Sequence, residues 1–106
     1  MEVIKGAGEY SPGEPNDWVE QFASADLSVG TYSIPVGGVD DQHPHTEDEI
    51  YVVQAGRATL VTPSGNALVS AGSVVFVPAG EPHQFTEITE NLALLVIFAP
   101  PYGSKA

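Results

Sequence analysis

The stretch GGVDDQHPHTEDEIYVVQAG, residues 37–56, decides how this chain reads. Two histidines stand one residue apart in it, His43 and His45, and the part from Glu49 onward to Leu60 is rich in Tyr, Val, Thr and Ile, residues that suit a pleated surface. Side chains two apart in a strand share a face, so the imidazoles of His43 and His45 are expected to converge on one point. Glu49 keeps that parity four residues on. A second stretch, GSVVFVPAGEPH at residues 72–83, ends in His83, which can bring a third imidazole to the same point. Three imidazoles and one carboxylate suit a divalent first-row metal. The chain has no cysteine, so a metal here is held by nitrogen and oxygen, and disulfides, thiolate nucleophiles and iron-sulfur clusters are excluded.

Outward from these stretches, Leu27–Ile34, Val74–Val77 and Leu92–Phe98 have strand length and composition. Between them lie clusters with turn chemistry: Pro35-Val36-Gly37-Gly38, Thr62-Pro63-Ser64-Gly65-Asn66, Ala71-Gly72-Ser73 and Pro78-Ala79-Gly80-Glu81-Pro82. Short strands at this spacing predict an all-β sandwich or barrel. The one plausible helical turn is Asn16–Phe22, with Asn16 as its cap. Trp18 within it either caps the barrel or enters a dimer contact.

The spacing of both stretches resembles the two signature motifs of the cupin superfamily. From Gly37 the chain reads G-x(5)-H-x-H-x(3)-E-x(6)-G through His43, His45, Glu49 and Gly56; from Gly72 it reads G-x(5)-P-x-G-x(2)-H through Pro78, Gly80 and His83. The resemblance, closest to small single-domain members, implies one domain over residues 1–106. Within it, residues 1–25 form an N-terminal arm and strands, 37–56 the first motif and 72–87 the second. It implies a jelly-roll β-barrel of six to eight antiparallel strands in which His43, His45, Glu49 and His83 ligate iron, manganese, nickel, zinc or copper. One position departs from the family: where Asn often follows the last histidine, this chain has Glu87. Gly37, Gly56, Gly72, Pro78 and Gly80 are read as scaffold that shapes turns. Pro44, which cannot donate to a ladder, suits an edge or bulge at the barrel mouth. Glu47 and Asp48 are expected to be solvated loop acids, and Tyr32, Tyr51 and Phe85 are candidates for the pocket wall.

At 106 residues the chain has room for one core and no separate regulatory domain. Fourteen acidic against three basic residues give a formal charge of −11, which repels phosphate backbones and anionic membranes and speaks against nucleic-acid binding. The start, MEVIKGAGEYSP, lacks the features of a secretion signal, and the longest apolar run, Leu92–Ala99, is too short to span a membrane, so a cytoplasmic protein is expected. The leading functional expectation is a metalloenzyme acting on a small organic molecule, with dioxygenase-like chemistry. The alternatives are a non-catalytic module for a small ligand or metal, and an isomerase or lyase for sugars or sugar acids. Against the last, Lys5, Arg57 and Lys105 are the only basic side chains. An open sheet edge favours a homodimer.

Overall fold

The computed structural model describes residues 1–104. Six strands follow one another: β1 (Asp17–Ala23), β2 (Ser28–Ile34), β3 (Asp48–Thr62), β4 (Gly65–Ser70), β5 (Val74–Val77) and β6 (Gln84–Ala99). All pairings are antiparallel, in the order β1-β2-β6-β3-β4, with β5 paired to β3. The described residues contain no helix.

The two long strands organise everything else. The first part of β3 pairs with β5 (Glu49↔Val77 to Val52↔Val74) and its last part with β4 (Arg57↔Ser70 to Thr62↔Gly65), while β6 runs along its other edge. Glu49, Tyr51 and Val53 point inward, then Ala58 and Leu60, so the parity flips partway along β3. The flip occurs where the β3–β6 register shifts between Val53 and Thr59, because a bulge adds an unpaired residue and bends the strand. Gly56 sits in this bend at φ +97°, and a Cβ there would lie 2.7 Å from Leu92 Cα, so the close passage of β3 over β6 requires glycine. In β6 the matching flip separates Phe85 from Leu92, Leu94, Val96 and Phe98, and Glu87 lies within it at φ 49°. Asparagine tolerates this left-handed conformation better than most residues, which accounts for the Asn often found at that place in the resembling motif.

These bends curl the sheet so that inward residues of β2 to β6 meet in one core, among them Ile34, Tyr51, Leu60, Val69, Val77, Phe85 and Leu94. The expected strands are all present, with β6 extended through the polar half Gln84–Asn91. The helical turn expected at Asn16–Phe22 is instead β1, paired to β2 from Asp17↔Ser33 to Ala23↔Ser28. Trp, Val and Phe find a partner edge and a place to bury there, which outweighs a weak capping preference. Residues 35–47, which carry His43 and His45, form no strand.

Candidate metal centre

Three chain segments meet at one end of the roll. His45 lies in the loop before β3, Glu49 is the second residue of β3, and His83 immediately precedes β6. The Gly80 N–H donates to the His45 carbonyl at 2.7 Å, tying the first loop to the turn that delivers His83. Glu49 and His83 are buried, at 2% and 8% exposure, and His45 is half-buried. Their ligand atoms lie within 4.8 Å of one another: His83 Nε2 is 3.1 Å and His45 Nε2 3.9 Å from Glu49 Oε1.

Glu49 Oε1 makes no hydrogen bond to any described group despite its burial and the nearness of His83. A buried carboxylate oxygen left so is costly unless something else satisfies it. Donors that share one ion at bonds of about 2.0–2.2 Å stand roughly 3–4 Å apart, and two nitrogens with one oxygen form a first-row donor set. The residues fit a divalent metal. His83 Nδ1 lies 2.9 Å from the Glu81 carbonyl, a bond that orients the ring and leaves Nε2 facing the centre.

The fourth residue of the expected set is elsewhere. His43 is exposed and outside the group of three, because the convergence of His43 with His45 presumed a strand and this loop has none. With Pro44 between them and no ladder to hold the segment, alternation does not govern it. Gln42 faces the centre: its Oε1 is 2.8 Å from His45 Nε2 and accepts from the Tyr51 hydroxyl at 3.0 Å. The same hydroxyl lies 2.9 Å from His83 Nε2. Burial pushes the His45 pKa down, with Glu49 only partly countering it. Burial also works against a charged His83, but the Glu49 carboxylate and the Glu81 carbonyl outweigh it and raise that pKa.

Behind Gln42 stands Asp40, a residue the sequence reading passed over. Its carboxylate is buried and accepts from Tyr32 OH, Gln42 Nε2 and the Phe85 N–H, each at 2.8 Å. Asp40 and Asp41 are adjacent acids, and nothing local tells the buried one from the exposed one. Glu47 likewise corrects the expectation of a solvated acid: it is 2% exposed and accepts from the Thr46 hydroxyl, whereas Asp48 is exposed as expected.

Beside the centre opens a cavity of about 160 Å³, lined by Trp18, Tyr32, Gln42, His45, Glu49, Phe98 and Tyr102 among others. Of the three expected wall residues, Tyr32 lines it. Tyr51 instead touches His83 and Gln42, and Phe85 packs edge-on behind Tyr51 at 4.9 Å. Trp18 caps this mouth, edge-to-face with Tyr32, Phe98 and Tyr102 at 5.9–6.4 Å. Tyr102 could not be found from sequence, since it lies after the last strand in a segment with no signature. Arg57 is remote from the cavity, exposed and paired with Glu90 at 2.6 Å; Lys5 is exposed, and Lys105 lies outside the described residues.

The family model described as Cupin domain matches residues 30–98. A Streptomyces coelicolor protein, SCO3923, is 46% identical over 84 residues, covering 79% of this chain and 80% of its own length. The acireductone dioxygenase of Geobacillus thermodenitrificans is 34% identical over 68 residues, 58% of this chain. This chain spans only 38% of that enzyme's length. The crystal structure of TT1209 from Thermus thermophilus superposes with a TM-score of 0.76 at 26% identity, over 95% of this chain and 97% of that one.

Proposed function

This chain belongs to the cupin family, and from that premise we propose that it is a metal-dependent enzyme acting on a small organic molecule with dioxygen-dependent chemistry. The observation that carries the metal reading is the buried Glu49 Oε1, without a hydrogen bond among the described residues and facing two imidazole nitrogens. His45, Glu49 and His83 would hold one divalent ion. His43 is the proposed fourth donor, which the unpaired loop would have to bring inward in place of Gln42. The ion, when bound, supplies a Lewis acid and, if redox-active, a route for electrons between substrate and dioxygen.

The surrounding residues have separate tasks. Glu81 fixes the His83 tautomer, and the Tyr51 hydroxyl donates to Gln42 Oε1 beside His83 Nε2, holding that side chain at the centre. Trp18, Tyr32, Phe98 and Tyr102 exclude water from the cavity side. The partial similarity to an acireductone dioxygenase supports the dioxygen reading. Sugar-acid chemistry loses support, because no lysine or arginine among the described residues lines the cavity.

Elemental analysis of protein purified without added metal is expected to find about one ion per chain, lost in His45→Ala and His83→Ala. Turnover of the iron form should require air, and equal anaerobic turnover would end the dioxygenase reading. We also propose a homodimer, supported by the outer-face pairs Ile50↔Phe76 and Val52↔Val74, whose Phe76 and Val74 are exposed. Light scattering at micromolar concentration tests it.

A further inference from the structure

The cavity beside His45 joins two features: walls of aromatic rings and nearby carboxyl groups with no lysine or arginine among the described residues that line it. Trp18 comes from β1, Tyr32 from β2, Phe98 from β6 and Tyr102 from the segment after it, so four separate chain positions converge to place rings around one space. Phe98 and Tyr102 stack at 4.9 Å, and Trp18 stands nearly perpendicular to both. The His45 ring touches the same group, 4.9 Å from Phe98 and 5.5 Å from Tyr102.

Asp41 and Glu49 line this space, Asp40 hydrogen-bonds the Tyr32 hydroxyl at its wall, and Glu47 is buried two residues from His45. Those four groups carry four formal negative charges, and a divalent ion at the centre would offset two. Two remain, in a chain of net charge −11, and no lysine or arginine among the described residues lines the cavity. An anionic substrate would meet repulsion at the entrance and find no partner inside.

We infer that the cavity binds a small methylated onium cation, a quaternary ammonium or sulfonium compound, with its alkyl-shielded charge against the wall that Trp18, Tyr32, Phe98 and Tyr102 form. Ring faces attract such a cation through their quadrupoles, and it needs no hydrogen bond that these walls would have to supply. The inference rests on the reading that this cavity is the substrate side of the His45, Glu49 and His83 centre. The contact of His45 with the ring cluster places the onium group a few bonds from any substrate atom that reaches the centre.

Trp18 is the only tryptophan of the chain, so tryptophan emission, excited selectively over tyrosine, reads this cavity alone. Choline, its uncharged carbon isostere and the anion pivalate would be titrated into the purified protein, with metal content measured on the same sample. Choline is expected to give a saturable change with at least tenfold tighter binding than the isostere, and pivalate none. Tyr102→Ala, at a rim position 46% exposed, should weaken choline at least tenfold by calorimetry while Tyr102→Phe keeps it. Equal binding of choline and the isostere, or preference for pivalate, overturns the inference. So does choline binding that Tyr102→Ala leaves unchanged. A sample without metal that still selects choline ends the metal reading and leaves the onium site standing.

Discussion

Replacing Asp40 by Ala should remove about 2–6 kcal/mol of folding stability, although the residue lies in a loop with no secondary structure. The carboxylate satisfies three donors at 2.8 Å: the Tyr32 hydroxyl on β2, the Gln42 amide in its own loop and the Phe85 N–H at the start of β6. Gln42 is half-buried and can turn toward water, but Tyr32 and Phe85 are 6% and 1% exposed. Each donor stranded in the interior costs about 1–3 kcal/mol, so two of them account for the range. A domain of this size has about 5–15 kcal/mol in all. Near the middle of the range, the melting temperature should fall by roughly 15–30 °C. The assay is urea and thermal unfolding of chelator-treated protein, so that metal linkage does not enter. Asp41→Ala serves as control; Asp41 is exposed and among the described residues accepts only from Asn16 Nδ2, and its loss should stay within about 0.5 kcal/mol. Equal stability of the two variants would refute the assignment of Asp40 as the anchor that ties the loop to β2 and β6.

The fourth ligand can be decided by paired variants: His43→Ala should lower metal affinity while Gln42→Ala raises or preserves it. The reverse pattern, read by metal competition, would make Gln42 the donor. In metal-free protein the raised His83 pKa contributes stability that is complete below about 6.5 and is lost as pH rises through the folded value. The lowered His45 pKa contributes stability present above about 6.5 and lost as pH falls through its folded value, so these two groups together place a stability maximum near pH 6.5. Melts across pH 5–9 check it, and a His83→Gln variant that keeps the alkaline decline would count against His83 as the cause. Gly30→Ala would set a Cβ 2.7 Å and 2.8 Å from atoms of the Trp18 ring, forcing the ring from the cavity mouth at about 1–3 kcal/mol. Its emission should shift red, and an unchanged spectrum would show that Trp18 does not pack there.

Much of this molecule was legible in its residues. Runs such as Val74–Val77 and Leu92–Phe98 declare strands because buried strands need consecutive or alternating apolar side chains, and Gly56 marks a bend because only glycine fits there. The two motif spacings picked out His45, Glu49 and His83, which the fold brings within 4.8 Å. The polar half of β6 was hidden because it forms its ladder with backbone groups and buries few side chains. The strand at Asp17–Ala23 was hidden because its partner edge is contributed by β2.

What sequence determined by itself is the donor chemistry: no thiolate, three imidazoles, an acidic chain and the spacing that brings them to one end of a β roll. What only the tertiary structure decided is the direction in which loop side chains point. Alternation assigns a face only where a ladder holds the backbone, and none holds residues 35–47. Gln42 therefore faces inward and His43 outward, Asp40 is buried beside an exposed Asp41, and Tyr102 reaches back over the cavity, each placed by partners distant in the chain.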